Sequence, residues 1–148
     1  MSILNRKAKF QYHFLEYYIA GIQLFGTEVK SIRQNKVNIT NSFCYMKNRE
    51  LYSANMYIDE YKFGTASNHL VNRERKLLLK RKELNKIEKR LFNPGLTLVP
   101  LKLFFNDKGY IKLKIVLAKG KKEYDKREIL RKKDVQRDMQ QFIKKYKN

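Results

Sequence analysis

The amino-acid stretch TLVPLKLFFNDKGYIKLKIVLA, residues 97–118, predicts a β-hairpin. Two β-rich segments flank the turn Asn106-Asp107-Lys108-Gly109, whose composition is typical of a tight connection between antiparallel strands. In the second segment, apolar and basic residues alternate: Ile111, Leu113 and Ile115 against Lys112 and Lys114. This alternation places one face of the strand against a core and the other face in water.

Further strands are predicted on the N-terminal side of this hairpin. Aromatic and β-branched residues are enriched in residues 12–18, 22–25, 39–47 and 50–57. Small or polar pairs between these segments, Ala20-Gly21 and Asn48-Arg49, are interpreted as turns. The polar residues 59–75 are interpreted as a long surface loop.

Two short helices are also predicted. Thr27 is the expected N-cap of a helix that ends near Arg33. Leu84, Ile87 and Leu91 share one face of a second helix over residues 82–92, which ends before Asn93-Pro94-Gly95. About six strands with two or three helices give a mainly β fold. A small closed antiparallel β-barrel is favoured because closure removes exposed strand edges.

We expect one barrel domain, residues 1–118, followed by a basic tail, residues 119–148. In the tail Val135, Met139, Phe142 and Tyr146 recur at helical spacing, but the apolar stripe is narrow. Such a helix buries too little apolar area to be stable alone. We therefore expect the tail to be disordered or loosely helical in the free protein and to order against a partner.

The charge balance indicates a polyanionic partner. The chain has 34 Lys and Arg residues against 14 Asp and Glu residues, a net charge of +20. After residue 118 there are 12 basic and 5 acidic residues, which leaves 22 and 9 in the expected domain. The folded part is thus basic in its own right. Nucleic acid, an anionic membrane surface and an acidic protein all fit this charge, and nucleic acid is the commonest explanation.

Other classes of protein find little support in the residues. Cys44 is the only cysteine, which excludes an intramolecular disulfide and suits a reducing cytoplasm; it is interpreted as a core residue. No segment is long and apolar enough for a membrane span, and the N-terminus does not resemble a signal peptide. We expect a monomeric cytoplasmic protein without a membrane partner.

Catalytic and metal-binding motifs are missing from the sequence as well. One cysteine with His13 and His69 cannot form a Cys/His metal site, and His69 is interpreted as a solvated loop residue. There is no nucleophile motif of the Gly-x-Ser-x-Gly type and no phosphate-binding glycine loop. We therefore expect no cofactor, no metal and no enzymatic activity.

Three clusters combine basic residues with aromatic or apolar neighbours. They are Lys7, Lys9, Phe10 and Tyr12; Arg73, Arg75 and Lys76; and Lys119, Lys121, Lys122, Tyr124, Lys126 and Arg127. Basic side chains contact phosphates, and aromatic or guanidinium planes stack on unpaired bases. The clusters favour an RNA-binding or DNA-binding protein.

Six blocks of sequence, in order, closely resemble the SsrA-binding protein (SmpB) family. They are residues 5–9 (NRKAK), 20–22 (AGI), 26–33 (GTEVKSIR), 75–79 (RKLLL), 95–103 (GLTLVPLKL) and 118–127 (AKGKKEYDKR). The resemblance implies an oligonucleotide-binding-type barrel with helices packed around it. It also implies binding to the tRNA-like domain of transfer-messenger RNA, delivery of that RNA to stalled ribosomes, and trans-translation. The tail would enter the decoding centre and the mRNA channel of the small subunit.

The resemblance also implies site residues. Asn5 and Leu78 match positions that the family uses for RNA, and the expected RNA-binding set further contains Lys7, Lys9, Glu28, Lys30, Arg75, Lys76, Lys119, Lys121 and Lys122. The expected ribosome-contacting residues of the tail are Tyr124, Asp125, Lys126, Arg127, Phe142 and Ile143.

The chain departs from the family pattern at Lys9-Phe10, where Arg-His is usual, and at Ile19, where Glu is common. Each matched residue also has a purely structural interpretation. Leu78 could be core, Glu28 could favour the first turn of a helix, and Asp125 could pair with a nearby lysine. A barrel-type RNA or ribosomal protein without a rescue role, and a nuclease, are the competing functions.

Overall fold

The computed structural model describes residues 2–64 and 68–121, which form nine strands and three helices. In chain order they are β1 (Ser2–Leu4), α1 (Ala8–Gln11), β2 (Tyr12–Ile22), α2 (Gly26–Arg33), β3 (Val37–Asn38), β4 (Phe43–Lys47), β5 (Glu50–Ala54), β6 (Tyr57–Ile58), β7 (Arg75–Leu78), α3 (Arg81–Leu91), β8 (Leu96–Phe105) and β9 (Ile111–Gly120).

Seven of these strands form one antiparallel sheet in the order β1-β8-β4-β5-β7-β2-β9. A further pairing between β8 and β9 closes six of them into a ring: β8, β4, β5, β7, β2 and β9. Along its other edge β8 pairs with β4 at Leu98 and then with β1 over Lys102–Phe104. The prediction of a mainly β fold built from antiparallel strands is confirmed.

The core lies inside the ring. Every second side chain of the long strands points inward, and the fully buried ones include Ala20, Leu51, Leu77, Leu98, Leu103, Leu113, Ile115 and Leu117. Helix α3 adds Leu84 and Ile87 to this cluster, and α2 adds Ile32. Cys44 is buried among them, and burial raises the pKa of its thiol, which confirms that it is a core residue.

The hairpin and the second helix are confirmed. Strands β8 and β9 pair from Leu96↔Lys119 to Phe105↔Ile111, and α3 lies within one residue of its predicted bounds. Gly109 has a φ of 82°, the left-handed conformation that glycine adopts without steric cost.

The predicted turn at Ala20-Gly21 is wrong, because β2 continues through it to Ile22. Ala20 is fully buried in the core, and Gly21 pairs with Leu78 on one side and Lys112 on the other. Small residues stand here because neighbouring side chains approach closely. The irregularity in β2 lies earlier, between Phe14 and Glu16, where the register with β9 shifts by a bulge.

Three local interpretations are corrected. The described part of the chain has nine strands rather than about six. Strands β1, β3 and β7 lie where none was expected, residues 50–58 divide into β5 and β6, and the single strand β2 replaces the two expected over residues 12–25. The N-cap residue of α2 is Phe25, not Thr27. His69 is buried rather than solvated: Thr27 Oγ1 lies 2.8 Å from its Nδ1 and the Ile58 carbonyl oxygen 2.9 Å from its Nε2. The segment 59–75 is thus fastened to α2 and β6.

Strand β9 continues to Gly120, two residues beyond the expected domain boundary. The backbone N–H of Lys121 then donates to the Gln11 carbonyl oxygen at 2.9 Å, so the end of β9 is held against α1. None of the helices formed by residues 2–64 and 68–121 has the length and apolarity that crossing a bilayer requires.

Candidate nucleic-acid interface

Strands β1, β8, β9 and β2 present an outer face with lysines in two aligned rows. The hydrogen-bonded register places Leu4, Lys102, Lys114 and Ile19 in one row, and Ser2, Phe104, Lys112 and Gly21 in the next, which continues to Leu78 of β7. These side chains alternate with inward-pointing neighbours such as Leu103 and Leu113. We call these nine residues the lysine face. None of them is acidic.

Two lysines of this face are direct cross-strand neighbours. Lys102 lies opposite Lys114, and like charges in such a pair destabilise a sheet. Neither forms an ion pair with a carboxylate of the described residues. Aromatic rings compensate in part: Lys114 Nζ lies 4.7 Å from the Tyr17 ring centroid, and Lys102 Nζ lies 5.2 Å from that of Phe104. The arrangement fits an external anion.

Exposed apolar side chains accompany the lysines. Tyr17 is 54% exposed, Ile19 50% and Leu78 46%, so the interpretation of Leu78 as a core residue is wrong. Leu78 lies against Gly21, where an added Cβ would be 3.2 Å from Leu78 Cβ and 3.7 Å from Lys112 Nζ. The glycine therefore lets a leucine and a lysine meet across the sheet. Flat apolar surface beside cations is suited to unpaired bases and the phosphates next to them.

The first and third sequence clusters meet at one end of this face. Helix α1, with Lys9, packs beside the end of β9, where Lys121 Nζ donates to the Lys9 carbonyl oxygen at 3.0 Å. Lys7, Lys9 and Lys119 are exposed, and Lys121 is half-buried. Asn5 lies nearby but is buried, with Nδ2 donating to the Pro100 carbonyl oxygen at 2.9 Å. Sequence positions more than a hundred residues apart thus form one basic patch.

The Glu28–Arg75 pair lies elsewhere, in the interior. Glu28 in α2 forms an ion pair with Arg75 in β7, and both side chains are fully buried. Burial alone would raise the pKa of Glu28. Hydrogen bonds from Arg73, from the Phe25 backbone N–H and from Arg75 outweigh that effect and hold the pKa below its usual value. Neither side chain offers a surface to RNA in this structure.

The remaining predicted RNA-binding lysines lie outside the rows of the lysine face. Lys76 is on the outer side of β7 but half-buried, with its Nζ 3.9 Å from a carboxylate oxygen of Glu50. Lys30 is exposed on α2, with its Nζ 5.2 Å from the Tyr61 ring centroid. The second sequence cluster is therefore largely neutralised by Glu28 and Glu50.

Sequence reasoning missed Lys102, Lys112, Lys114 and Tyr17 as site residues. The alternation in β9 had indicated that Lys112 and Lys114 face water. Their alignment with Lys102 depends on the hairpin register, which includes a shift between Pro100 and Lys102 that the sequence does not reveal.

Lys122 and the tail residues Tyr124, Asp125, Lys126, Arg127, Phe142 and Ile143 lie outside the described residues, so their predicted roles stay predictions. In residues 2–64 and 68–121, no group of three or more His, Cys, Asp or Glu side chains is arranged to hold a metal ion.

Comparison with known proteins gives consistent matches over nearly the whole chain. The family model described as "SmpB protein" matches residues 2–145. The SsrA-binding protein of Christiangramia forsetii is 52% identical, over 99% of this chain and 94% of its own length. That of Flavobacterium johnsoniae is 53% identical, over 99% and 97% respectively.

A solved structure agrees in fold. It was reported under the words "tmRNA-SmpB: a journey to the center of the bacterial ribosome". Its chain superposes with a TM-score of 0.69 and 48% sequence identity, covering 82% of this chain and 85% of that chain. The six sequence blocks, the ring of strands and these matches have one explanation: the chain belongs to the SsrA-binding protein (SmpB) family.

Proposed function

We propose that this protein binds the tRNA-like domain of transfer-messenger RNA and delivers that RNA to stalled ribosomes for trans-translation. Membership of the SsrA-binding protein family supports this function, and so does the similarity to a structure described as tmRNA-SmpB. The observation that carries the proposal is the lysine face, which combines three lysines with exposed apolar side chains and contains no acidic residue.

Residues of the protein have different roles in this proposal. Leu78, Ile19 and Tyr17 offer apolar contact to unstacked bases, and Lys7, Lys9, Lys119 and Lys121 supply positive charge at the end of the face. Glu28 and Arg75 are positioning residues, since their buried ion pair fastens α2 to β7 and thereby fixes the strand that carries Leu78. Lys30 and Lys76 add charge outside the rows.

The tail is assigned to the ribosome. Residues 122–148 hold 10 of the 34 basic residues, and the Asp125-Lys126-Arg127 and Phe142-Ile143 motifs resemble those of the family tail. We propose that the tail contacts the decoding centre and the mRNA channel of the small subunit, with residues up to the end of β9 forming the RNA-binding domain. A cytoplasmic location follows from these partners.

A competition binding experiment tests the proposal. The purified protein is titrated with a labelled tRNA-like RNA that has an intact elbow, and unlabelled random RNA of equal length competes at ~150 mM salt, where non-specific electrostatic binding is weakened. We expect the random RNA to compete poorly. Equal competition would favour a general RNA or ribosomal protein, and cleavage of either RNA would favour a nuclease.

A further inference from the structure

A cavity of about 410 Å³ opens beside the lysine face, next to residues 4–9. It lies between the β1–α1 connection and strands β8, β9 and β2. Its size lies in the range of sites for small ligands, ~300–1,000 Å³. Of the RNA-binding residues predicted from the sequence, only Asn5 and Lys9 line it.

Four cationic side chains line this cavity. They are Arg6, Lys9, Lys102 and Lys114, and no Asp or Glu among the described residues lines it. Lys102 and Lys114 are the facing pair of the lysine face, and both are half-buried. Two half-buried like charges held side by side are unfavourable unless an anion bridges them. The cavity is therefore built to take negative charge.

Three apolar side chains also line the cavity: Leu4, Phe14 and Leu101. Leu4 is 49% exposed. Phe14 also packs edge-on to Tyr17, with ring centroids 6.2 Å apart. Asn5 also lines the cavity, but its Oδ1 is buried, and its Nδ2 donates to the Pro100 carbonyl oxygen at 2.9 Å. Apolar side chains suited to a base and cationic side chains suited to a phosphate line one cavity, which matches a single nucleotide.

From this geometry we infer that the cavity holds a single unstacked nucleotide of the bound RNA, with its base on Leu4, Phe14 and Leu101 and its phosphates between Lys102 and Lys114. The inference rests on the proposed RNA-binding function and adds a site to it. The RNA so bound has a nucleotide turned out of its stack, as loops and bulges do. A continuous duplex would offer no base to the apolar side chains of the cavity.

The double variant Lys102→Met/Lys114→Met tests the phosphate half, because methionine keeps the aliphatic stems and removes both charges. Its affinity for the tRNA-like RNA is compared with wild type across a salt series. Loss of two phosphate contacts at an unpaired nucleotide, each with a slope of about −0.7, lowers the affinity about fifteenfold near 0.15 M salt and flattens the log–log slope by about 1.4. We expect the thermal unfolding midpoint of the double variant to equal or exceed that of wild type, because the substitutions remove a like-charge pair. The control Lys82→Met/Lys89→Met removes two exposed lysines of α3, away from the cavity, and keeps the affinity within about twofold of wild type, because only non-specific attraction is weakened.

The variant Leu4→Ser tests the base half. Leu4 is half-exposed, so the fold survives, and the affinity for the tRNA-like RNA falls about fivefold while the salt slope stays at the wild-type value. Leu70→Ser, at a 77% exposed loop position, is the matched control.

Wild-type affinity in Leu4→Ser overturns base insertion. A wild-type slope in the lysine variant overturns the phosphate site. If wild type itself fails to prefer the tRNA-like RNA over random RNA, the proposed function fails instead.

Discussion

Glu28 and Arg75 form a fully buried ion pair between α2 and β7. The Glu28 carboxylate and the Arg75 guanidinium also form hydrogen bonds with other groups. Glu28 Oε1 accepts from Arg73 Nη2 at 2.6 Å and from the Phe25 backbone N–H at 2.8 Å, and Arg75 Nη1 donates to the Met56 carbonyl oxygen at 2.7 Å. A buried pair whose hydrogen bonds are satisfied is stable as a unit, whereas a lone buried charge is not.

Replacing Glu28 by Gln therefore destabilises the fold. The variant leaves Arg75 buried without a counter-charge, and we expect a loss of about 3–5 kcal/mol in the free energy of unfolding, measured with urea. Glu83→Gln is the matched control. Glu83 holds the same first-turn position in α3 and accepts from the Lys80 backbone N–H at 3.2 Å, but in an exposed setting. Its loss should stay under about 1 kcal/mol. Equal losses in the two variants would show that burial of the Glu28–Arg75 pair is unimportant.

The same carboxylate makes stability depend on acid pH. The pKa of Glu28 in the folded protein lies below its ordinary value of 4.5, so the folded state favours the ionised form. Its contribution is complete above the ordinary pKa and is lost as the pH falls towards the lowered one. We expect the free energy of unfolding to fall more steeply below about pH 4.5 in wild type than in Glu28→Gln. Glu16 and Glu74, whose pKa values are also lowered, leave a residual slope in both proteins. Parallel curves for the two proteins would contradict this assignment.

Leu77 and Leu78 separate stability from RNA binding within one strand. Leu77 is fully buried and Leu78 is 46% exposed, because successive residues of β7 point to opposite faces. Leu77→Ala should cost about 2–5 kcal/mol in the free energy of unfolding. Leu78→Ala should cost under about 1 kcal/mol yet weaken binding of the tRNA-like RNA about tenfold, as expected for loss of one base contact. Urea unfolding and RNA titration on both variants check this. Unchanged RNA affinity in Leu78→Ala would remove Leu78 from the interface.

The sequence predicted the parts of the fold that depend on local pattern. The alternation around Leu113 and the turn ending at Gly109 suffice for the β8–β9 hairpin, and the spacing of Leu84 and Ile87 suffices for α3. Ala20-Gly21 was misinterpreted because small residues that allow close packing resemble small residues of a turn. Only the tertiary register shows that Gly21 faces Leu78.

In the candidate site, too, the features set by local sequence were predictable and those set by tertiary register were not. Basic residues next to one another in sequence, such as Lys7 and Lys9, were found, and the family resemblance drew attention to Leu78. The sequence does not predict the pairing of Lys102 with Lys114. That pairing depends on the register shift in β8 between Pro100 and Lys102. Glu28 and Arg75 are adjacent only in space, 47 positions apart, so their mutual burial could not be read from the chain.

Deleting residues 125–148 tests the assignment of the tail to the ribosome. The deletion leaves the described residues intact but removes nine basic and four acidic residues, so affinity for every RNA should fall somewhat through weaker electrostatic attraction. The ratio of affinities for tRNA-like and random RNA should stay within about twofold of wild type, because a charge effect without base contacts acts on both RNAs alike. Tagging of incomplete peptides on stalled ribosomes, measured in a reconstituted translation system with transfer-messenger RNA, should be abolished. A collapse of the affinity ratio would place part of the RNA-recognition surface in the tail, and persistent tagging would remove the tail from ribosome engagement.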